Sequence, residues 1–133
     1  MLSVLLDTHI LIWWQSDQGR LSRTQLQALE ELEARNLPVA VSGITLWEAA
    51  LLVERGRLEI AGPLDTWLEE VQSHPLVEVL PITARIATES VRLGRGCPRD
   101  PADQIIVATA RCHGLRLMTA DAQIRRWGKV PLI

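Results

Sequence analysis

The sequence has 133 residues, 47% of them hydrophobic, and its 16 acidic and 14 basic side chains give a formal net charge of −2. This length accommodates one domain with one ordinary core, and the high apolar content excludes a disordered chain. No apolar run approaches the roughly 18 residues that span a bilayer, so we expect no membrane segment.

The first part of the chain predicts two strands, each followed by helical sequence. The short apolar runs are typical of buried strands in a parallel sheet. Ser22, with Gln25 three residues later, forms a capping-box pattern at a helix start, and Ser42 or Thr45 can cap the helix that ends at Gly56. The predicted elements are a strand at 2–6, a helix reaching residue 15, a polar turn at 16–19, a helix from 22 to 36, a strand at 39–41 and a helix ending at residue 56.

The remaining part of the chain repeats this alternation. Pro63 lies in the first turn of a predicted helix, Thr83 caps another, and Gly114 is a typical helix stop. The predicted elements are a helix at 63–72, a strand at 77–80, a helix from 83 to 93 or 94, a loop at 94–98, a helix from 100 to 114, a strand at 115–118, a short helix from 121 and a last strand at 130–133.

This alternation predicts an α/β fold with a mostly parallel central sheet of about five short strands, flanked by helices on both faces. We expect residues 1–133 to form one domain of this kind. In such sheets, ligands bind beyond the carboxyl ends of the strands. The side chains that follow each strand are therefore the candidates for function.

Four acidic side chains lie at predicted strand ends or helix starts. Asp7 directly follows the first strand, and Asp121 lies just past the strand at 115–118. Asp103 lies in the first turn of a predicted helix, and Glu48 lies in the first turn or two of another. Because parallel strands point the same way, their ends and the following helix starts share one edge of the sheet, so we expect these four carboxylates to converge on one pocket.

Four carboxylates at close range repel one another unless a divalent cation lies among them. Mg²⁺ and Mn²⁺ fit this requirement, because they prefer oxygen ligands and pair with substrate phosphates. The sequence has no His/Cys cluster that would favour zinc. A cation held this way can activate a water for in-line attack on a phosphodiester bond, so the pattern favours metal-dependent hydrolysis.

Each acid also has a structural interpretation that the sequence leaves open. Asp7 and Asp121 can each cap the helix that follows, and Glu48 can complete a capping box with the threonine three residues before it. The two acids at the start of the helix from residue 100 can be purely structural; we assign Asp100 to the cap and Asp103 to the site. The acids gain weight together because all of them fall on the same predicted edge.

Four segments resemble the motifs of PIN domains, most closely those of the VapC-type toxins of bacterial toxin–antitoxin pairs. The match runs in order over essentially the whole chain, which makes it far more specific than any single motif. The segments are LLDTHIL at 5–11, VSGITLWE at 41–48, RDPADQIIVATA at 99–110 and LMTAD at 117–121.

The resemblance implies an endoribonuclease that depends on Mg²⁺ or Mn²⁺, is neutralised by a VapB-like antitoxin and forms a homodimer. One departure is Gln104, which stands where many relatives have Arg; it bears on a salt bridge or a substrate contact rather than on metal binding. In this resemblance, Asp7, Glu48 and Asp103 match the three acids that hold metal, and Asp121 matches a fourth, more variable acid. Thr8 and Thr119 match two hydroxyl positions beside the site.

The charges and cysteines bear on partners and compartment. Residues 1–82 carry five basic and twelve acidic side chains, whereas residues 83–133 carry nine basic, eight of them Arg, and four acidic. Arginine suits phosphate oxygens, but an unevenly charged solvated surface explains the same counts. Cys97 and Cys112 form no CxxC pair, and no basic region precedes the first apolar run, so we expect a reduced cytoplasm and no signal peptide.

Five tryptophans occur without any Phe or Tyr. RNA bases can stack on an exposed Trp, but Trp13, Trp14 and Trp47 lie in apolar segments, which favours packing in the core or at an interface. Since adjacent side chains cannot both face one core, we expect one of Trp13 and Trp14 to contact a partner chain. For His9, beside Asp7, we favour a structural role over that of a general base.

Two other functions have sequence requirements that this chain does not meet. A phosphatase with a carboxylate nucleophile after the first strand usually has a second Asp two residues on, where this chain has His9. A receiver-like signalling domain needs a Lys at a strand end, and the only Lys is Lys129, with no clear strand before it. The sequence therefore favours the ribonuclease.

Overall fold

A computed structural model describes all residues from 1 to 133 and gives four strands alternating with seven α-helices. The strands are β1 (Val4–Leu6), β2 (Val39–Ser42), β3 (Val77–Leu80) and β4 (Arg116–Met118). The helices are α1 (Thr8–Ser16), α2 (Arg23–Ala34), α3 (Gly43–Glu54), α4 (Leu64–Ser73), α5 (Ala84–Ser90), α6 (Pro101–His113) and α7 (Ala122–Trp127), with a 3₁₀ turn at Gln18–Arg20.

The four strands form one sheet in the order β3-β2-β1-β4, and every neighbouring pair is parallel. Leu5 in β1 lies opposite Ala40 in β2 and Leu117 in β4. Parallel neighbours require crossover connections, and here helices supply them. The predicted α/β class is confirmed, and all four strands end at the same edge of the sheet.

The predicted fifth strand at 130–133 is wrong. That segment makes one isolated parallel bridge, between Leu117 and Leu132. The Pro131 carbonyl accepts a hydrogen bond from the Leu117 backbone N–H at 2.7 Å, and Ile133 donates one to Leu117 at 3.0 Å. Proline has no N–H with which to extend a ladder, so pairing stops after this bridge.

Two apolar clusters lie on opposite faces of the sheet. Side chains alternate along a strand, so Val4 and Leu6 enter one cluster while Leu5 between them enters the other. The first cluster packs under α1, α2 and α4, and the second under α6 and α7. Strand β1 is therefore buried on both faces, and because it lies between β2 and β4, the residue after it, Asp7, lies in the interior of the sheet edge.

Several predicted helix boundaries are confirmed, and one is wrong. Ser22 and Gln25 form the capping box, with bonds of 3.1 and 3.0 Å. Ser42, and not Thr45, caps α3. Helix α5 ends at Ser90, short of the predicted residue 93, and the Ser90 hydroxyl donates to the Ala87 carbonyl in the last turn. Such bonding offers the backbone an alternative to continued helix.

The tryptophans depart from the sequence prediction. Trp14 belongs to the first apolar cluster, and Trp13 packs against the same cluster while staying partly exposed. The expectation that the two cannot share one core is wrong, because one packs within the cluster and the other at its margin. Trp47 is 55% exposed, so it does not pack in the core, and the other predicted environment, an interface, stays a prediction. None of the helices combines the length and the apolarity that crossing a membrane requires.

Candidate active site

The four acids singled out by the sequence line one cavity of about 410 Å³ at the carboxyl edge of the sheet. Asp7 follows β1 and Asp121 lies three residues after the end of β4, while Glu48 lies in the second turn of α3 and Asp103 in the first turn of α6. We call this space the acidic cavity. The predicted convergence is therefore present in the structure, and the metal-binding role of each acid stays a prediction.

Asp7 is the most deeply buried of these acids, at 7% exposure. One carboxylate oxygen accepts from the Thr8 backbone N–H at 2.8 Å, and the other accepts from the Thr119 hydroxyl at 2.6 Å. Burial raises the pKa of Asp7, and these two hydrogen bonds oppose that rise. The Thr119 hydroxyl also accepts from the Asp121 backbone N–H at 3.0 Å, so one buried hydroxyl ties the end of β1 to the segment after β4.

Glu48 is held by the second hydroxyl that the sequence places beside the site. The Thr8 hydroxyl donates to a Glu48 carboxylate oxygen at 2.6 Å and lies 3.1 Å from the Thr45 hydroxyl. Both threonines are buried, so Thr45 supports the site instead of capping α3. Burial, and then the charge of Asp7, raises the pKa of Glu48.

Asp100 belongs to the acidic cavity as well as to the helix cap. Its carboxylate accepts from the Ala102 and Asp103 backbone N–H groups at 2.8 and 3.4 Å. One carboxylate oxygen each from Glu48, Asp100 and Asp103 also lie within 4.8 Å of one another. The prediction that assigns Asp100 only to the cap and Asp103 only to the site is incomplete, because residues three apart share one face of a helix start.

The same double role applies to Asp121. Its carboxylate caps α7 by accepting from the Ile124 backbone N–H at 2.9 Å, yet the side chain lines the acidic cavity. A cap uses one carboxylate oxygen and leaves lone pairs free for another ligand. Capping and site membership are therefore compatible interpretations of one residue.

The crowding of carboxylates is strongest at Asp103. Burial raises its pKa from 3.8 to about 7, with further increases from Asp7, Asp100, Glu48 and Asp121. No ion pair relieves this repulsion, because the one ion pair of the chain joins Arg111 to Glu89 at 3.1 Å. Five carboxylates thus share a cavity without a compensating charge in contact, which is the electrostatic setting of a cation site.

The basic neighbours of the acidic cavity are His9 and Arg20. His9 is exposed, with its ring 5.9 Å from that of Trp13. Sequence reasoning missed Arg20, because nothing in a polar turn marks one arginine as close to acids from other segments. It also missed the site role of Asp100, which its three-residue spacing to Asp103 could have revealed. Gln104 donates to the Pro98 carbonyl at 3.0 Å and does not line the cavity.

Comparison with known proteins gives one consistent result. The PIN domain family matches residues 4–130. The chain is 39% identical over 125 residues to ribonuclease VapC22 of Mycobacterium tuberculosis, a match that covers 94% of this chain and 92% of that protein.

Solved structures show the same likeness. A toxin-antitoxin complex from Klebsiella pneumoniae is 27% identical, with a TM-score of 0.65 and coverage of 98% of this chain and 96% of that one. The DNA-bound VapBC from Salmonella typhimurium shares the fold at 22% identity, with a TM-score of 0.71 and coverage of 100% and 98%.

Proposed function

The chain belongs to the PIN-domain family, among its VapC-type members, and on that premise we propose that it is an endoribonuclease. In this proposal it hydrolyses RNA phosphodiester bonds with Mg²⁺ or Mn²⁺ and acts as the toxin of a toxin–antitoxin pair. The observation that carries the proposal is the meeting of five carboxylates in one cavity without a paired cationic side chain.

The donor set fits a hard divalent cation. Glu48, Asp100 and Asp103 offer oxygens within 4.8 Å of one another, and Asp7 and Asp121 line the same space. Oxygen-only sites of this kind suit Mg²⁺ and Mn²⁺, and no cysteine lines the cavity. We assign metal binding to Asp7, Glu48 and Asp103, with Asp121 as the fourth acid. When bound, such a cation supplies neutralisation of phosphate charge and an activated water.

The surrounding hydroxyls prepare these acids for their role. Thr119 donates to Asp7 and Thr8 donates to Glu48, each at 2.6 Å. A donated hydrogen bond favours the ionised carboxylate and fixes the direction in which its other lone pairs point. Because both hydroxyls are buried, the carboxylates are held in place by the core instead of by solvent.

The partners follow from the relatives. Ribonuclease VapC22 and the toxin-antitoxin complex from Klebsiella pneumoniae support a VapB-like antitoxin as the cognate partner of this chain. The incompletely buried apolar side chains Ala50 and Val53 of α3 support a homodimer.

The two free cysteines, Cys97 and Cys112, are consistent with the reducing cytoplasm. We assign residues 1–133 to one PIN domain.

Replacement of Asp7 by Asn tests the proposal. The amide oxygen can still accept from the Thr8 backbone N–H and the amide NH2 can donate to the Thr119 hydroxyl, so the fold should persist, while the loss of one anionic ligand should lower RNA cleavage by about 10³-fold. Cleavage of a long single-stranded RNA is measured with Mg²⁺, with Mn²⁺ and with EDTA, and circular dichroism checks the fold. Asp65→Asn, at an exposed acid in the first turn of α4, is the matched control.

The same variants give a readout in cells. Expression of the chain alone should arrest growth, and co-expression of an antitoxin encoded beside it should relieve the arrest. Asp7→Asn should not arrest growth, whereas Asp65→Asn should. Cleavage that survives both EDTA and Asp7→Asn would overturn the proposal.

A further inference from the structure

The acidic cavity has a neighbouring cavity on each of two sides. One, of about 310 Å³, shares His9, Glu48 and Asp100 with it. The other, of about 430 Å³, shares Arg20 and Ala120 with it. Because these cavities share lining side chains, the three spaces lie side by side, with the acidic cavity in the middle. We call this row of three cavities the trough.

The first end of the trough presents an aromatic ring beside positive charge. Trp47 precedes Glu48 on α3 and is 55% exposed. Arg55 and Arg57 line the same cavity, are exposed, and take part in no ion pair. An exposed tryptophan beside free arginines is the combination with which proteins hold single-stranded nucleic acid, by stacking a base and attracting its phosphates.

The second end of the trough presents a positioned guanidinium. Arg20 lies over the Trp13 ring, with its Cζ 4.8 Å from the ring centroid. It lines both the acidic cavity and the cavity of about 430 Å³, whose lining also includes Arg125. Arg20 pairs with none of the acids nearby, so its donors are free. A stacked guanidinium with free donors suits a phosphate oxygen.

We propose that the trough binds single-stranded RNA across the bond to be cut. Trp47 stacks on a base on one side of the scissile phosphate, and Arg20 binds a backbone phosphate on the other. This inference rests on the proposed function and adds two positioning residues to it. A single strand is required, because a base paired in a duplex does not offer its face to a side chain.

The charge pattern supports RNA over a second protein chain as the occupant. The middle of the trough is acidic, whereas Arg55 and Arg57 at one end and Arg20 at the other take part in no ion pair. An RNA strand needs positive charge where its flanking phosphates lie and a cation where its scissile phosphate lies. A second copy of this chain seated on Trp47 is the competing occupant, and the mass of the protein in solution distinguishes it from RNA.

The test compares variants at the two ends by RNA affinity. A fluorescently labelled single-stranded RNA of random sequence is titrated with the chain. The fluorescence anisotropy of the RNA is measured in Ca²⁺ at several salt concentrations. Trp47→Ala should weaken binding roughly 5- to 150-fold and Trp47→Phe much less, because every aromatic ring can stack. Arg20→Gln should lower the slope of log affinity against log salt by about 0.7, and Arg20→Lys should keep it.

Cleavage and size measurements complete the test. In Mg²⁺, Trp47→Ala should raise KM more than it lowers kcat, while Val91→Ala, at a residue 79% exposed and outside the trough, should match the parent. Light scattering gives the mass of each variant in solution. If Trp47→Ala alters that mass but leaves RNA affinity unchanged, Trp47 contacts a second copy and the inference is overturned.

Failure of this inference differs from failure of the proposed function. An active parent whose Trp47 and Arg20 variants bind RNA as tightly as it does would refute the trough alone. A parent that neither binds nor cleaves RNA would refute both.

Discussion

Helix α6 brings together two regions of the molecule that are built on opposite principles. Asp103 lies in its first turn and faces the acidic cavity, where burial and like charges raise its pKa to about 7. Ile106, three residues later, is fully buried in the second apolar cluster. Strand β1 shows the same contrast over one step, since buried Leu6 is followed by Asp7.

The difference shows how the fold separates stability from binding. Apolar burial at the sheet faces stabilises the chain by roughly 25 cal/mol for each Å² removed from water. The acidic edge does the reverse, because buried carboxylates without a cation are costly. Apolar packing on the two faces of the sheet therefore keeps the acidic edge folded when no cation is bound. Variants on the apolar faces and variants at the acidic edge should therefore have separable effects.

Ile106→Ala should cause the largest loss of stability. Removing a fully buried side chain leaves a cavity in the second cluster, and such changes cost about 2–5 kcal/mol. Chemical denaturation measures this loss, and Val91→Ala, at an exposed position, should stay within roughly 0.5 kcal/mol of the parent. Mn²⁺ affinity of the folded Ile106→Ala chain should match that of the parent; a large drop would mean that face and edge are not separable.

Thr119→Val should weaken metal binding at the acidic edge without a loss of stability as large as that of Ile106→Ala. Asp7 loses its 2.6 Å hydroxyl donor, and loss of such a supporting bond typically lowers metal affinity about 10- to 100-fold. Mn²⁺ binding by calorimetry measures the effect, and Thr119→Ser should restore most of it. The matched control is Thr109→Val, because the Thr109 hydroxyl is also buried but bonds only the Ile105 carbonyl. Equal losses of affinity in both variants would contradict a specific role for Thr119.

The sequence was sufficient to place the acids because strand polarity decides where they meet. Asp7 follows an unbroken apolar run, and parallel pairing then requires the end of that run to lie beside the ends of β2 and β4. The helix starts at Ser22, Thr83 and Asp100 could also be predicted from the sequence, since capping depends on a few neighbouring residues. Local patterns and one global rule therefore predicted most of the fold.

The remainder depends on tertiary packing that local patterns do not contain. Trp47 occupies an apolar segment, yet only Thr45 and Ala49 of α3 are fully buried. The approach of Arg20 to the acidic cavity depends on how the 3₁₀ turn folds over Trp13. The double role of Asp100 depends on its distance from Glu48, a residue on another helix. In each case the deciding partner is distant in sequence.

The smallest effect we predict is the dependence of stability on pH in the metal-free chain. The pKa of Asp103 rises from 3.8 to about 7 on folding, and those of Asp7 and Glu48 also rise. Between these values the folded chain binds a proton that the unfolded chain does not, so stability should fall as pH increases from 5.5 to 8. The full shift corresponds to roughly 4 kcal/mol, but Asp103 is only half-buried, and after solvent screening we expect about 1 kcal/mol.

Denaturation at the two pH values, with and without Mg²⁺, checks this prediction. Mg²⁺ should stabilise the chain more at pH 8 than at pH 5.5, because the cation competes with protons for the same carboxylates. Asp103→Asn removes the carboxyl whose pKa rises to about 7 and should reduce the metal-free pH dependence, whereas Asp65→Asn should not. If the metal-free parent is most stable at pH 8, folding does not raise the pKa values of these carboxylates, and the acidic edge stabilises the fold as the apolar faces of the sheet do.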